Sequence, residues 1–239
     1  MTHQVRIWDL PTRLFHWALV LCVIGLFVTG KTGGDAMNWH FRLGYAALTL
    51  VLFRIVWGFI GGRWSRFIRF FPTPARVLRY LKGQALPEDK AGHNPLGALS
   101  VFALLLLMAA QAVTGLFSYD EIAFAGPLSS LVSNHTVSLA TSYHKSWGQG
   151  LIITFIALHV LAIIVYTVLK HGLFWPMIVG DKALDADLPP ARDSASTRIL
   201  ALLVLIVLAA AMYALVAWGN AHETNERDFP VPSARAIAE

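Results

Sequence analysis

Residues 143–160, which read YHKSWGQGLIITFIALHV, place two histidines at the two ends of an apolar segment. The 15 residues from His144 to His159 correspond to about 22 Å along an α-helix, and the second side chain is rotated by only about 60° from the first. Both rings therefore face one side of the helix at different depths. Because ionisable side chains inside an apolar helix are costly and mark functional sites, this stretch predicts a helix with ligands at two levels of a membrane.

The composition of the whole chain agrees with a membrane protein. Its 239 residues are 56% apolar and 14% charged, and the mean hydropathy is +0.58. These values exclude a disordered chain and argue against an ordinary soluble domain. A single cysteine, Cys22, excludes an internal disulfide framework and a cysteine-ligated iron–sulfur cluster, and the absence of a C-x-x-C-H motif excludes covalent c-type haem. The net charge of +5 indicates no nucleic-acid partner, because the basic residues cluster in two loops.

Five segments have the roughly 20 apolar residues that a membrane span needs. They cover residues 14–30, 40–60, 96–119, 146–169 and 199–218. The first follows a basic stretch as a signal peptide would, but no small-x-small cleavage site comes after it, so we predict that it stays as a span. The sequence therefore predicts an all-α integral membrane protein.

The distribution of Lys and Arg predicts the orientation of these spans. The segment before span one, the loop between spans two and three and the loop between spans four and five hold most of the basic residues, whereas residues 120–143 contain none. Cytoplasmic loops are enriched in Lys and Arg. We therefore expect a cytoplasmic N-terminus and a periplasmic C-terminus.

The basic loop at residues 62–83, GRWSRFIRFFPTPARVLRYLKG, mixes arginines with aromatic residues. Thr73 followed by Pro74 is typical of a helix start. The loop has two interpretations: a docking surface for a cytoplasmic partner, or an interfacial segment held by aromatic side chains and anionic lipid headgroups. We favour the interfacial segment.

Depth sorts four histidines into two pairs. With the predicted orientation, His16 and His159 lie near the cytoplasmic face, and His40 and His144 lie near the outer face. Two imidazoles from different helices suit the two axial positions of a haem iron, and a helix bundle can bury the apolar porphyrin. Zinc fits poorly because each pair lacks a nearby carboxylate or thiolate. The sequence therefore predicts two stacked haems, with these four histidines as the iron ligands.

Each histidine also has a simpler interpretation. His159 alone could be a core histidine bonded to a carbonyl, and His40 and His144 could be ordinary interfacial residues. His93 could compete as an outlying ligand, and His135 could replace His144. His171, at the exit of span four, is expected at the interface. The matched depth of histidines on separate helices favours haem ligation for the first four.

Haem propionates require cations near each membrane face. Arg13 and Arg54 could serve the inner haem, and Arg42, Lys31 or Lys145 the outer one. The alternative is that these side chains extend to the lipid headgroups, which we favour for both lysines.

Four motifs together resemble the bacterial cytochrome b561 family, which overlaps the b-type cytochrome subunits of nickel–iron hydrogenases. They are WDLPTRLFHWALVL, HFRLGYAALTLVLFRIVWGF, GHNPLGALSVFALLLL and the pair YHKSW…ALHV, and the likeness covers about residues 5–180. The resemblance implies a four-helix bundle with two haems b, ligated here by His16, His40, His144 and His159. It also implies electron transfer in the bacterial inner membrane between a quinone, ubiquinone or menaquinone, and a periplasmic partner such as a c-type cytochrome.

This sequence departs from the family pattern in two places. The spacing within span four is one residue longer than the commonest pattern, so we expect a local bulge that re-aims one ligand. A fifth span and a short tail follow the bundle, which gives a predicted division into residues 1–180, the haem bundle, and residues 181–239, a linker with the fifth helix and an outer tail.

Three functions stay open at this point. The first is a transmembrane electron conduit in the respiratory chain. The second, an activity that the family includes, is the oxidation of superoxide at the outer face with transfer of electrons to quinone. The third is a non-redox membrane anchor with structural histidines. Membrane lipid is the expected surrounding, and a homodimer stays open.

Overall fold

The computed structural model describes residues 2–120, 124–169 and 172–227, with side chains up to residue 222. His171 and the tail beyond residue 227 lie outside the described residues. The secondary structure is almost entirely helical. In chain order the elements are β1 (His3–Arg6), α1 (Leu10–Thr32), α2 (Ala36–Ile60), α3 (Phe67–Phe70), α4 (Pro74–Leu81), α5 (Pro87–Ala91), α6 (Pro95–Phe117), a 3₁₀ turn (Ser129–Leu131), α7 (Asn134–Ser142), a π-helical turn (Tyr143–Trp147), α8 (Gly148–Val168), α9 (Pro176–Val179), β2 (Asp181–Leu184) and α10 (Ala195–Arg227).

Five of the described helical segments are long and apolar enough to cross a membrane, which confirms the five predicted spans. They are Leu10–Thr32, Ala36–Ile60, Pro95–Phe117, Asn134–Val168 and Ala195–His222. The helical segment that contains span four extends beyond the predicted span and begins at Asn134, where the Ser133 hydroxyl caps it by accepting a hydrogen bond from the Thr136 N–H. The chain is a multi-pass membrane protein.

Helix α2 is the central helix of the bundle. It packs against α1, α6 and α10, and its Val51 and Trp57 are fully buried. Phe53 and Trp57 stack at 5.6 Å and join Phe15 of α1 and Ala201 of α10 in one apolar cluster. The fifth membrane helix therefore covers the face of α2 that the other bundle helices leave open.

The two short strands lie at the end of the bundle that also carries the basic loop, which we call the strand end. β1 and β2 pair antiparallel, with His3 opposite Leu184 and Arg6 opposite Asp181. The buried carboxylate of Asp9, just after β1, caps α1 and accepts hydrogen bonds from Trp57 Nε1, the Gly62 N–H and Ser65 Oγ. These bonds fix the start of α1 against the end of α2.

A second carboxylate at the strand end ties the fifth helix to the rest of the fold. Asp193 accepts hydrogen bonds from Arg6 Nη1 at 2.7 Å, from the Leu10 N–H at 3.2 Å and from Arg198 Nε at 3.0 Å. Burial raises the pKa of this carboxyl group, but these hydrogen bonds and positive charges outweigh burial and lower the pKa overall. Asp193 therefore links β1, α1 and α10.

The basic loop forms two short helices. α4 begins at Pro74 and is capped by the Thr73 hydroxyl, as predicted. Ile68 on α3 is 83% exposed and Leu81 on α4 is 62% exposed, beside the arginines of the same loop. Exposed apolar side chains next to cations agree with an interfacial segment.

Candidate metal-binding histidine pairs

The end of the bundle opposite the strands, which we call the far end, brings His40 of α2 and His144 of the π-turn side by side. Their ring centroids are 6.1 Å apart and their planes are at 87°. Two imidazoles on opposite sides of one metal ion, with metal–nitrogen bonds of about 2 Å, have centroids roughly 6 Å apart. The spacing therefore fits a metal ion held between the two rings.

Hydrogen bonds orient both far-end rings. His40 Nδ1 donates to the carbonyl oxygen of Leu26 at 3.1 Å, and His144 Nδ1 donates to the carbonyl oxygen of Gln111 at 2.8 Å. Metal-binding histidines usually donate their second ring N–H to such an acceptor, which fixes the tautomer. In this tautomer each Nε2 carries the free lone pair, so Nε2 is the ring nitrogen that is available to a metal ion.

Glycines give the two far-end rings their space. A Cβ atom at Gly115 would lie 2.9 Å from Cε1 of His144, and one at Gly30 would lie 3.1 Å from Cε1 of His40. Contacts this short would displace the rings. These two glycines therefore serve the site by their lack of a side chain.

A cavity of 490 Å³ surrounds the far-end pair. Its wall is mainly apolar and comes from α1, α2, α6 and α8, with Val23, Phe27, Met108 and Ile152 among the lining residues. Lys31 and Lys145 supply cations to the same wall. Its volume and its mainly apolar wall are typical of a cofactor pocket. They suit a flat, largely apolar cofactor that carries two carboxylate groups.

The strand end brings together His16 of α1 and His159 of α8, which interact electrostatically. Both rings are half-buried, and Nδ1 of His16 is buried without a hydrogen-bond partner. Buried polar atoms normally have partners. The unpartnered nitrogen therefore marks a place where an additional group fits.

His93 and Arg54 lie close to the strand-end pair. His93 packs against Trp8 and Phe70, and it interacts electrostatically with Arg54, His16 and His159. Burial lowers the pKa of His93 to about 3, and the charge of Arg54 lowers it as well, so this ring is neutral at physiological pH.

Arg54 is the more unusual member of this cluster. It is only 3% exposed, and neither of its Nη atoms has a hydrogen-bond partner. Its guanidinium group lies 4.9 Å from the ring of Phe67. A buried cation of this kind needs an anion. The strand end therefore offers two histidines for a metal and, in Arg54, two Nη atoms without hydrogen-bond partners for a carboxylate.

The other predicted site residues lie elsewhere. Arg13 Nη1 donates to the carbonyl oxygen of Ile178 at 2.6 Å, so it binds the segment before β2. Arg42 stacks on Trp39 at 5.1 Å and lines a separate, more polar pocket of 720 Å³ at the far end. His135 is exposed on α7, whereas His144 lies beside His40. Among the described residues, no group of three or more His, Cys, Asp or Glu side chains is placed to hold a metal ion.

Sequence reasoning missed Gln111 and Gly30 as parts of the site, and it singled out Gly115 only as one of several glycines that let helices or a cofactor edge approach closely. Gln111 is a strongly polar residue in the apolar span α6. The cost of such a group inside a membrane is a signal that could have singled it out. The two glycines carry no comparable signal, because small residues also serve ordinary helix packing.

Known proteins similar to this chain fall into one group. The model of the family described as prokaryotic cytochrome b561 matches residues 7–180. Three curated relatives are a probable Ni/Fe-hydrogenase 1 B-type cytochrome subunit of Escherichia coli K12, and probable Ni/Fe-hydrogenase B-type cytochrome subunits of Azotobacter chroococcum and Azotobacter vinelandii.

The alignments differ in length. The Escherichia coli relative is 28% identical over 48% of this chain and 60% of its own length. The Azotobacter chroococcum relative is 27% identical over 77% of this chain and 91% of its own length, and the Azotobacter vinelandii relative is 30% identical over 49% and 60%. No solved structure gives a significant match. Since the family model covers most of the chain, from the end of β1 to the start of β2, the chain belongs to the prokaryotic cytochrome b561 family.

Proposed function

We propose that this protein binds two b haems and carries electrons across the bacterial inner membrane between a quinone and a periplasmic redox partner. The observation that carries the proposal is the far-end pair, whose rings are 6.1 Å apart and whose Nδ1 atoms both donate to backbone carbonyls. A pair of interfacial histidines without a shared ligand has no need of this arrangement. Membership in a family of b-type cytochromes supports the same conclusion.

The four histidines form two ligand sets. His40 and His144 would hold the iron of one haem at the far end, and His16 and His159 would hold the iron of the other at the strand end. Each bound haem supplies reversible one-electron chemistry. With two histidines holding each iron, the bound haems would serve electron transfer rather than oxygen binding.

Cations near each ligand pair are proposed to bind the haem propionates. At the strand end Arg54 has two buried Nη atoms without hydrogen-bond partners, whereas Arg13 has one such atom, Nε, and its Nη1 is already bonded to Ile178, so Arg54 is the better placed cation. At the far end Lys31 and Lys145 line the cavity. Arg42 faces the neighbouring pocket, so a role with the propionates requires a change in its side-chain direction.

The strand end is proposed to face the cytoplasm. It carries the basic loop with its exposed apolar side chains, whereas the far end has Lys31, Arg42 and Lys145 as its main cations. The positive-inside rule then puts the C-terminus in the periplasm. The far-end haem is accordingly the one next to a periplasmic partner.

For the quinone and the periplasmic partner we propose a chemical class only. Ubiquinone or menaquinone is proposed as the membrane substrate, and a c-type cytochrome as the periplasmic partner. The names of the relatives make a hydrogenase a second candidate for the same position. Membrane lipid surrounds the bundle, and a homodimer is compatible with this arrangement.

A superoxide oxidase is a second candidate function. Lys31 and Lys145 line the far-end cavity beside His40 and His144. Cations next to a redox centre attract an anionic substrate. In this alternative, superoxide gives one electron to the far-end haem and is released as oxygen, and the electrons pass on to quinone.

The test is stopped-flow reduction of the purified, oxidised protein. Reduction by a quinol, followed by oxidation on addition of a c-type cytochrome, is the result that we expect. Faster reduction by superoxide than by quinol would favour the second candidate. A purified protein without haem absorbance would contradict both and support the non-redox anchor.

A further inference from the structure

The π-turn Tyr143–Trp147 changes the backbone hydrogen bonds around His144. The Gly148 N–H donates to the carbonyl oxygen of Tyr143, five residues back, whereas in an α-helix it would donate to His144. The extra residue of the π-turn therefore takes the helical donor away from the His144 carbonyl. A carbonyl without a donor inside a membrane is costly.

Gln111 of the neighbouring helix α6 satisfies this carbonyl. Its side-chain Nε2 donates to the carbonyl oxygen of His144 at 2.8 Å, and its own backbone carbonyl accepts from His144 Nδ1 at 2.8 Å. One residue thus holds both the backbone and the ring of the same histidine. The two bonds fix where His144 lies and which ring nitrogen carries the proton.

Gly148 makes room for this contact. A Cβ atom at that position would lie 2.1 Å from Oε1 of Gln111 and 2.6 Å from the ring of Tyr143. Any larger residue at the end of the π-turn would push the Gln111 amide away. The close approach of α8 to α6 therefore depends on Gly148, the same residue whose N–H donates five residues back instead of four.

We propose that Gln111 is the positioning residue of the far-end haem, holding the π-turn open so that the His144 ring stays beside the His40 ring. This inference rests on the proposed haem ligation. Without the Nε2 donor, the His144 carbonyl recovers a partner if the turn relaxes to an α-helix. That change moves the register by one residue, about 100° around the helix, and turns His144 away from His40.

The experiment compares Gln111→Leu with wild type in redox titrations of the visible spectrum and in haem content per protein. We expect the far-end component to be lost or shifted in midpoint potential, with haem content falling toward half of the wild-type value. We expect the strand-end component to keep its potential. Thr154→Val is the matched control, because the Thr154 hydroxyl bonds only to Gly150 of its own helix among the described contacts, and it is expected to match wild type.

Two further variants test whether the hydrogen bond from Gln111 to the His144 carbonyl is the reason for the effect. Gln111→Met keeps the approximate length of the side chain but removes the donor, so it should shift the far-end component as Gln111→Leu does. Gly148→Ala pushes the amide away from the other side and should shift the same component. A far-end component with wild-type potential in all three variants would overturn the inference, whereas a wild-type protein without haem would overturn the proposed function itself.

Discussion

At the scale of single residues, the far-end site depends on a glycine without a side chain as much as on the two histidines. Gly115 faces His144 so closely that no side chain fits between the ring and α6. The imidazole can therefore reach the carbonyl of Gln111 and still direct Nε2 into the cavity. Space and hydrogen bonding together set the direction of the ligand.

Substitution of Gly115 tests this arrangement. We expect Gly115→Ala to displace His144, because its Cβ would lie 2.9 Å from Cε1 of the ring, and to lower far-end haem occupancy severalfold. The measurement is haem per protein from the pyridine haemochrome spectrum.

Gly150→Ala is the control for this substitution, since a Cβ there has open space around it. Alanine also has the higher helix propensity, by about 1 kcal/mol, so Gly150→Ala should leave haem content unchanged. Equal haem content in Gly115→Ala and wild type would show that the close contact does not matter.

The sequence allowed the histidines to be paired, but it could not identify the residues that orient them. Depth along three separate spans grouped His40 with His144, and the structure places those rings together. The partners of the rings, Leu26 and Gln111, act through backbone carbonyls, which any residue type could supply. The spacing of residues along a helix therefore predicts the candidate histidines. It does not predict the contacts between helices that orient their rings.

At the scale of elements, the five spans followed from hydropathy, because each long apolar run has a bilayer as its only large apolar environment. The two strands did not, since β1 and β2 are four residues each and pair across most of the chain. Strands this short have no alternation to detect. The pairing matters because it brings Asp193 next to the start of α1.

Removing the carboxylate of Asp193 should loosen the attachment of the fifth helix. Its hydrogen bonds come from Arg6, Arg198 and the Leu10 N–H, and hydrogen bonds to charged groups contribute about 2 kcal/mol. We expect Asp193→Asn to lower the thermal midpoint in detergent at pH 7. Asp187→Asn, at an exposed position in the same linker, should leave it unchanged.

The same carboxylate predicts a pH dependence. The pKa of Asp193 is lowered in the folded protein, so its contribution to stability is present above the unfolded value of about 3.9. The contribution is lost as the pH falls through the folded pKa, because the unfolded state then binds more protons. Thermal midpoints of wild type and Asp193→Asn should converge below about pH 4, and a constant difference would contradict the assignment.

The far end of the fifth helix packs closely against the loop after α6. A Cβ atom at Gly219 would lie 2.1 Å from the carbonyl oxygen of Pro127. We expect Gly219→Val to separate α10 from this loop and to lower the thermal midpoint by several degrees. Ala217→Val, at an exposed position of the same helix, is the comparison, and an equal effect of both variants would argue against close packing.

At the scale of the whole molecule, the surface is apolar along the bundle and basic at the strand end. Large apolar side chains such as Leu21, Leu106 and Val207 are more than half exposed along the bundle, as expected where lipid is the solvent. Cations concentrate at the strand end. The fifth helix, whose role the sequence left open, covers α2 and packs beside the far-end loop.

Reporter fusions test the orientation. Alkaline phosphatase, which is active only in the periplasm, should be active when fused after residue 222 and inactive when fused within the basic loop at residue 83. Green fluorescent protein at the same two positions should give the opposite result. Activity of alkaline phosphatase at residue 83 would mean that the strand end faces the periplasm, against the positive-inside rule.

The most direct test of the account is a redox titration of haem absorbance, with haem quantified per protein, on wild type, His40→Ala and His159→Ala. We predict two b-type components and two haems in wild type. We predict one haem in each variant, with a different component missing from each. A wild-type protein without haem, or the loss of the same component in both variants, would contradict the assignment of one haem to each end of the bundle.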